Sequence, residues 1–276
     1  MTAPARRCAR AVIEYDGTAF AGSQVQPAAR TVQGELERAL NRLTGERVRV
    51  RLAGRTDAGV HATGQVVAFC VPRDSGTRRY DWAELKRRLN AVLPPDLAVR
   101  SLRAARPDFD PRRDARERIY RYRIRTGGAT RPLERHRTFE IDDRLDVAAM
   151  QAAAERMTGE RDYAALGSHP RSTVRRISEL RVTRRGELVE IRVTADAFLR
   201  RMVRSIVALL IEAGRGRIGP EEVDRLLTGT GRALDGRAAP ARGLTLERIA
   251  YGDSRSSSIQ PKTTRRTRKR TGEQAT

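Results

Sequence analysis

Apolar and polar residues recur along this chain with two different periods, and the two periods predict its secondary structure. Alternation at every second position, bounded by turn residues, indicates strands, and recurrence at three- and four-residue intervals indicates helices. The strands are predicted at 10–15, 48–52, 65–71, 97–102, 117–125, 177–183, 188–194 and 244–251. The helices are predicted at 31–43, 81–92, 146–157, 198–213 and 220–227. Strands and helices are mixed in both halves of the chain, which is typical of an α+β protein.

The predicted helix 198–213 combines a wide apolar stripe with arginines near its start. The stripe consists of Leu199, Met202, Val203, Ile206, Val207 and Leu210. Arg200, Arg201 and Arg204 would project from one side of the first turns. An arginine at the margin of a well-buried helix requires a carboxylate or a phosphate partner. Arg204 is the arginine for which we expect such a partner.

The charge of the chain indicates a polyanionic partner. Its 276 residues include 56 Lys and Arg against 34 Asp and Glu, which gives a net charge of +22 and a pI near 11.4. Such a balance is typical of proteins that bind nucleic acid. Residues 253–276 hold seven basic and two acidic residues, so the chain stays strongly basic without them. We expect this Ser-, Thr- and Arg-rich tail to be disordered and to add nonspecific affinity for phosphates.

Cysteines, histidines and apolar runs narrow the class of protein. Cys8 and Cys70 show neither a disulfide framework nor the spacing of metal ligands, and His61, His136 and His169 are too scattered to add a metal site. No apolar run approaches the length of a membrane span, and the N-terminus carries no apolar signal segment. Phosphate-loop, dinucleotide-fold and zinc motifs are missing as well. We therefore expect a soluble, reduced, cytoplasmic protein without a cofactor or a metal.

The loop between the second and third predicted strands presents a single acid among glycines. Asp57 lies in Gly54-Arg-Thr-Asp-Ala-Gly-Val-His61, with Arg55 two residues before it. A neighbouring cation would keep the carboxylate ionised, which suits a nucleophile or a base better than a proton donor. The alternative is an aspartate that caps its own turn. His61 is either a second base or, as we favour, a structural histidine that bonds the loop backbone.

The predicted strand 117–125 interleaves aromatic and basic residues. Tyr120 and Tyr122 share one face, and Arg121, Arg123 and Arg125 share the other. This pattern suits stacking on a nucleobase while nearby arginines bind phosphates. The alternative is a strand with core tyrosines and a solvated basic face, which we favour for Tyr122 and leave open for Tyr120.

The residues of the Asp57 loop resemble a known family. Gly54 to His61, followed by Gly64-Gln65, is similar to the signature of the tRNA pseudouridine synthase A (TruA) family. Further similar segments follow in family order at 13–18, 31–37, 90–98, 109, 115–122, 196–204 and 241–244. The resemblance covers roughly residues 9 to 251. One departure is Gly22-Ser-Gln24, where Ser23 stands in place of the usual aromatic residue.

The resemblance implies a fold and an activity. It implies two ferredoxin-like halves, which form an extended antiparallel sheet flanked by helices around a basic central cleft. We expect residues 1–108 and 109–252 to be these halves, because the proline-rich segment 107–111 looks like a junction. The activity implied is the isomerisation of uridine to pseudouridine at positions 38 to 40 in the anticodon arm of tRNA, by a homodimer that uses no cofactor. The alternative is a tRNA-binding or tRNA-folding protein on the same scaffold without catalysis.

The resemblance also assigns roles to four residues. Asp57 matches the catalytic aspartate that acts on the target uridine, and Arg204 matches the arginine that pairs with it. Tyr120 matches the tyrosine that packs against the base. Arg55 matches a basic residue that handles the flipped nucleotide, since the glycosidic bond is inaccessible in a stacked helix.

Overall fold

A single large sheet organises the computed structural model, which describes residues 6–72, 81–128, 131–168, 171–229 and 238–252. Its strands are β1 (Arg6–Tyr15), β2 (Val50–Leu52), β3 (His61–Pro72), β4 (Leu97–Ala104), β5 (Ala115–Thr126), β6 (Phe139–Ile141), β7 (Gly159–Asp162), β8 (Val174–Arg185), β9 (Leu188–Ala195) and β10 (Leu244–Tyr251). They follow the order β4-β1-β3-β10-β5-β9-β8-β7, with β2 beside β3 and β6 beside β5. The helices are α1 (Val32–Thr44), α2 (Trp82–Val92), α3 (Val147–Arg156), α4 (Met202–Gly214) and α5 (Pro220–Leu227). The predicted α+β class is confirmed.

Most helix boundaries lie where the capping residues predict them. The Thr31 hydroxyl accepts a hydrogen bond from the Gly34 amide at 3.2 Å and begins α1. The Asp81 carboxylate accepts one from the Glu84 amide at 2.7 Å and begins α2. Gly45 ends α1 at a φ of 72°, a left-handed conformation that glycine adopts without strain.

The parallel pairing of β3 with β10 joins the N-terminal and C-terminal parts of the chain in the middle of the sheet. Thr245 lies opposite His61, and Leu246 lies opposite Ala62. Gly64 permits the close approach of β10, because a Cβ atom there would lie 2.0 Å from the carbonyl oxygen of Glu247. The predicted boundary after residue 108 falls between β4 and β5, and the division into two halves stays a prediction.

The helix predicted at 198–213 begins only at Met202, so this prediction was wrong for its first turn. Phe198 packs edge-on against the Tyr120 ring at 5.3 Å, and Leu199 is buried in the core. The backbone of Arg200 pairs with that of Ser168 in an isolated antiparallel β-bridge. These contacts need an extended backbone, which a helix with the same side chains would not provide. Arg200 and Arg201 therefore do not share a helical face with Arg204.

The expectation of two reduced, unlinked cysteines was also wrong. Cys8 of β1 lies directly opposite Cys70 of β3, and their sulfur atoms form a disulfide. The two residues are 62 positions apart in sequence, so only the pairing of the two strands brings them together.

In the described part of the chain, no helix is both long and apolar enough to cross a bilayer. His169 and the basic tail 253–276 lie outside the described residues.

Tyr122 is buried in the core, as we favoured, but the arginines of β5 pair with carboxylates and do not form the free basic surface that was expected. Arg121 and Arg123 each bond Glu190 of the neighbouring β9, at 3.3 and 3.0 Å. Arg125 is buried and pairs with Glu187 at 3.2 Å. Because these arginines face away from the tyrosines and already have carboxylate partners, they do not form the expected phosphate grip beside Tyr120.

Candidate active site

The Asp57 carboxylate forms an ion pair with Arg204 across the fold. Asp57 Oδ2 lies 3.2 Å from Arg204 Nη1, although the two residues are 147 positions apart. Arg204 Nε donates a second hydrogen bond to the carbonyl oxygen of Ala239 at 2.7 Å, which fixes the orientation of the guanidinium. The Asp57 side chain is 34% exposed and that of Arg204 is 18% exposed. The pair is therefore held in place from the protein side and open on the carboxylate side.

A backbone hydrogen bond closes the turn that carries Asp57, and the Asp57 carboxylate does not cap this turn. The Val60 amide donates to the Asp57 carbonyl oxygen at 3.2 Å. Gly59 adopts a φ of 78°, and a Cβ there would lie 3.2 Å from the Ala241 side chain. Among the described residues, the hydrogen bond that reaches the Asp57 carboxylate comes from Arg204. The geometry therefore does not support the alternative of an aspartate that caps its own turn.

Ser23 holds the backbone of the residue before Asp57. Its hydroxyl accepts a hydrogen bond from the Thr56 amide at 2.8 Å, and its own amide donates to the Thr56 carbonyl oxygen at 3.1 Å. Its carbonyl oxygen in turn accepts from the amide of Gln33 in α1 at 2.9 Å. Ser23 is fully buried. The residue that departs from the family pattern thus connects the Asp57 loop to a helix.

Two further side chains fix the same loop. The Tyr15 hydroxyl hydrogen-bonds the Thr56 hydroxyl at 2.8 Å, and Gln65 Nε2 donates to the Gly54 carbonyl oxygen at 2.8 Å. Burial raises the pKa of the Tyr15 phenol to about 12, so it stays protonated and bonded near neutral pH. Tyr15 and Gln65 lie in segments that resemble the family, but local pattern alone does not show that they bond this loop.

Tyr120 is close enough to Asp57 for the carboxylate to affect its pKa. Its ring is 7% exposed and packs edge-on against Phe198. Burial raises the pKa of the Tyr120 phenol well above its usual value, and the Asp57 carboxylate adds to this effect while Arg118 opposes it. The phenol is therefore neutral at physiological pH. Asp57, Arg204 and Tyr120 come together from three distant parts of the chain.

Arg55 does not pair with Asp57, contrary to the role that their spacing suggested. Its side chain is exposed and forms no ion pair with any described residue. The cation beside the carboxylate is Arg204 instead. Arg204 is 147 positions from Asp57 in sequence, so sequence proximity alone did not identify the partner.

His61 is bonded on both ring nitrogens to the backbone. Nδ1 accepts from the Gly17 amide at 3.0 Å, and Nε2 donates to the carbonyl oxygens of His136 at 2.6 Å and Arg242 at 3.2 Å. The ring is 4% exposed. This arrangement is that of a structural histidine joining three segments. No three His, Cys, Asp or Glu side chains are grouped for a metal ion within the described ranges.

Comparison with known proteins identifies the family. A family model described as "tRNA pseudouridine synthase" matches residues 11–112 and 153–252. The chain belongs to the tRNA pseudouridine synthase family. Asp57 lies in the first matched segment of the synthase and Arg204 in the second, and Tyr120 lies in the interval between them.

Relatives of the synthase match over most of its length. A protein of Geobacter sulfurreducens named "tRNA pseudouridine synthase A" is 42% identical over 248 residues, which cover 89% of this chain and 100% of that protein. Proteins of the same name from Chloroflexus aurantiacus and a Thermotoga species are 46% and 41% identical. These matches cover 87% of this chain in both cases, and 87% and 98% of the relatives. As a member of this family, the synthase is an isomerase that acts on tRNA.

Proposed function

We propose that the synthase converts uridine to pseudouridine at positions 38, 39 and 40 in the anticodon arm of tRNA, with Asp57 as the nucleophile. The observation that carries this proposal is the ion pair of Asp57 with Arg204 beside the neutral Tyr120. The resemblance of the Asp57 loop to the family signature supports the anticodon-arm target. The relatives named tRNA pseudouridine synthase A support tRNA as the substrate.

The reaction requires a nucleophile and proton transfer, and its atoms and electrons balance without a further reactant. The bond between N1 and C1′ of uridine breaks, the base turns, and a new bond forms between C5 and C1′. The proton on C5 leaves and N1 gains a proton, so product and substrate have the same atoms and electrons. An ionised carboxylate can begin this sequence by bonding either the sugar or the base. No oxidant, reductant or group donor enters the reaction.

The surroundings of Asp57 suit that role. Arg204 stabilises the carboxylate as an anion, because an opposite charge at this distance favours the ionised form. The Ala239 carbonyl oxygen fixes the Arg204 guanidinium, which in turn orients the Asp57 carboxylate. The exposed part of the Asp57 side chain faces the substrate. A single pre-oriented anion of this kind is what nucleophilic attack on a flipped nucleotide needs.

Tyr120 and Arg55 have distinct roles in this proposal. The neutral ring of Tyr120 packs against the flipped uracil, and its edge-on contact with Phe198 keeps it in position. Arg55 is exposed beside the loop and binds a phosphate next to the target nucleotide. Flipping is necessary because the glycosidic bond is shielded within the stack.

The remaining features of the proposal follow from the family. We infer a homodimer, and two halves, 1–108 and 109–252, on either side of a basic cleft that receives the anticodon arm. The basic residues in 253–276 add nonspecific affinity for phosphates.

The test is pseudouridine formation on unmodified tRNA by the wild type and by Asp57→Ala. Carbodiimide labelling followed by primer extension locates each pseudouridine. We expect modification at positions 38 to 40 with the wild type and none with Asp57→Ala, while both bind tRNA and unfold at similar temperatures. Equal activity of the two proteins would falsify the role of Asp57. Wild-type binding without modification would instead support the non-catalytic tRNA-binding protein.

A further inference from the structure

A basic cavity lies where β5 begins and β10 ends, at a distance from Tyr120. Its volume is about 390 Å³. It is lined by Arg10, Arg106, Phe109, Asp114, Arg116, Tyr251 and Gly252. Tyr251 lies five residues along β10 from Leu246, which pairs with Tyr120, so roughly 17 Å of strand separates the cavity from the candidate active site.

The charges in this cavity are only partly compensated. Arg106 pairs with Asp114 at 2.6 Å and with Asp108 at 3.1 Å. Arg10 and Arg116 form no ion pair or side-chain hydrogen bond with any described residue, in contrast to the neutralised arginines of β5. Two guanidinium groups without a carboxylate, in a concave site, attract an anion.

Aromatic rings form one wall of the cavity beside these arginines. The rings of Phe109 and Tyr251 contact each other at 5.4 Å, and the Tyr251 hydroxyl donates to the Pro111 carbonyl oxygen at 2.8 Å. The Arg116 guanidinium lies against Gly252, because a Cβ there would be 2.5 Å from its Cζ atom. Arg10 lies close enough to Tyr251 to oppose the rise in the pKa of that phenol that burial causes. The two arginines therefore lie beside a wall of two aromatic rings in contact.

We propose that this cavity is an RNA-phosphate subsite, in which Arg10 and Arg116 bind the phosphodiester backbone of tRNA outside the anticodon arm. A planar guanidinium fork matches the geometry of phosphate oxygens. The distance from Tyr120 places the subsite beyond the target nucleotide, so it contributes to affinity and leaves the chemical step unaffected. The inference rests on the proposed function to the extent that it takes tRNA as the ligand.

The test compares two double variants of the full chain that lose the same charge. Arg10→Gln with Arg116→Gln alters the cavity. Arg144→Gln with Arg181→Gln is the matched control, because both are exposed arginines without an ion pair to a described residue and neither lines the cavity. Binding of unmodified full-length tRNA and of an isolated anticodon stem-loop is measured across a range of KCl concentrations. Turnover at saturating tRNA is measured in parallel.

We expect the cavity variant to flatten the slope of log K against log salt for full-length tRNA by roughly 0.7 to 0.9 per arginine, as for lost phosphate contacts. Its stem-loop binding and its kcat should equal those of the wild type, and the control should match the wild type throughout. An unchanged slope, an equal change in the control, or an equal loss with the stem-loop would each overturn the subsite. A wild type that makes no pseudouridine would overturn the proposed function alone, since the salt slopes are measured independently of turnover.

Discussion

Asp16 and Asp57 occupy similar sequence settings, each shortly before a glycine in a turn, but their carboxylates bond very different partners. Asp16 Oδ1 accepts hydrogen bonds from the amide of Thr18 at 3.0 Å and from its hydroxyl at 2.5 Å, so it caps its own turn. Asp57 Oδ2 instead bonds Arg204 of α4. The comparison teaches that the same local signature serves as a cap in one turn and as a reactive group in the other.

The two turns also support each other. A Cβ on Gly17 would lie 2.1 Å from the carbonyl oxygen of Val60, so the turns pack at backbone distance. Although partial burial opposes it, hydrogen bonds from Thr18 and the nearby His61 and Arg137 hold the pKa of the Asp16 carboxyl below its usual value. Asp16 is thus an ionised structural neighbour of the Asp57 turn, and it provides a natural control for experiments on Asp57.

The largest expected difference between the two turns is in catalysis. Asp57→Asn removes the nucleophilic charge and should lower single-turnover pseudouridine formation on the order of 10³-fold or more. Asp16→Asn keeps an oxygen that accepts from the Thr18 amide, so its rate should stay within roughly twofold of the wild type. Similar losses in both variants would mean that Asp57 is as structural as Asp16.

The next effect concerns the partner that distinguishes Asp57. Arg204→Gln removes the charge, and Arg204→Lys keeps it but cannot bond Asp57 and Ala239 in the same fork geometry. We expect kcat to fall on the order of 10²-fold for Gln and less for Lys. Arg200→Gln serves as the control, because Arg200 is exposed and precedes the helix. A wild-type kcat in Arg204→Gln would show that the ion pair has no role in the reaction.

Ser23→Ala should have a smaller effect through the backbone of the Asp57 turn. The variant leaves the buried Thr56 amide without its acceptor, which should lower the free energy of unfolding by about 1–3 kcal/mol. We expect kcat to fall several-fold with KM for tRNA unchanged, because the turn that orients Asp57 loosens. Ser178→Ala, in an exposed position of β8, is the control. If Ser23→Ala behaved like this control, Ser23 would not position the turn.

The last effect has no consequence near neutral pH, because it is a change in stability that appears only at alkaline pH. The pKa of Tyr15 is about 12 in the folded protein against 10.0 for the free group. Its stabilising contribution is complete below pH 10 and is lost as pH rises toward 12, because only the unfolded chain ionises in that interval. The slope of unfolding free energy against pH should therefore be shallower in Tyr15→Phe than in the wild type, by at most about 1.4 kcal/mol per pH unit.

Tyr163→Phe is the matched control for this measurement. Burial also raises the pKa of Tyr163 to about 12, and its hydroxyl bonds the Met157 carbonyl oxygen, remote in sequence from the Asp57 turn. Both variants should change the alkaline slope, but only Tyr15→Phe should lower kcat, since it alone loses the bond to Thr56. An equal effect of both on kcat would contradict the link between Tyr15 and the active loop.

Local pattern was sufficient for much of the fold and for the central residue of the site. The helix α5 and the strand β10 have the bounds that periodicity predicts, and Thr31 and Asp81 begin their helices. These features depend on neighbours within one or two turns of chain, which the sequence displays directly. The Asp57 loop was recognisable for the same reason, because its glycines and its acid are contiguous.

Only the tertiary structure decided which charged and reactive groups meet. The pairing of β1 with β3 joins Cys8 to Cys70, and neighbouring strands supply the glutamates that pair with Arg121 and Arg123 of β5. The fold brings Arg204 of α4 to Asp57, and the Ala239 carbonyl oxygen orients its guanidinium. Such contacts depend on strand register and on segments far apart in the chain, which local periodicity does not encode. The sequence therefore determined that Asp57 is presented on a loop, and the fold determined that its carboxylate bonds Arg204.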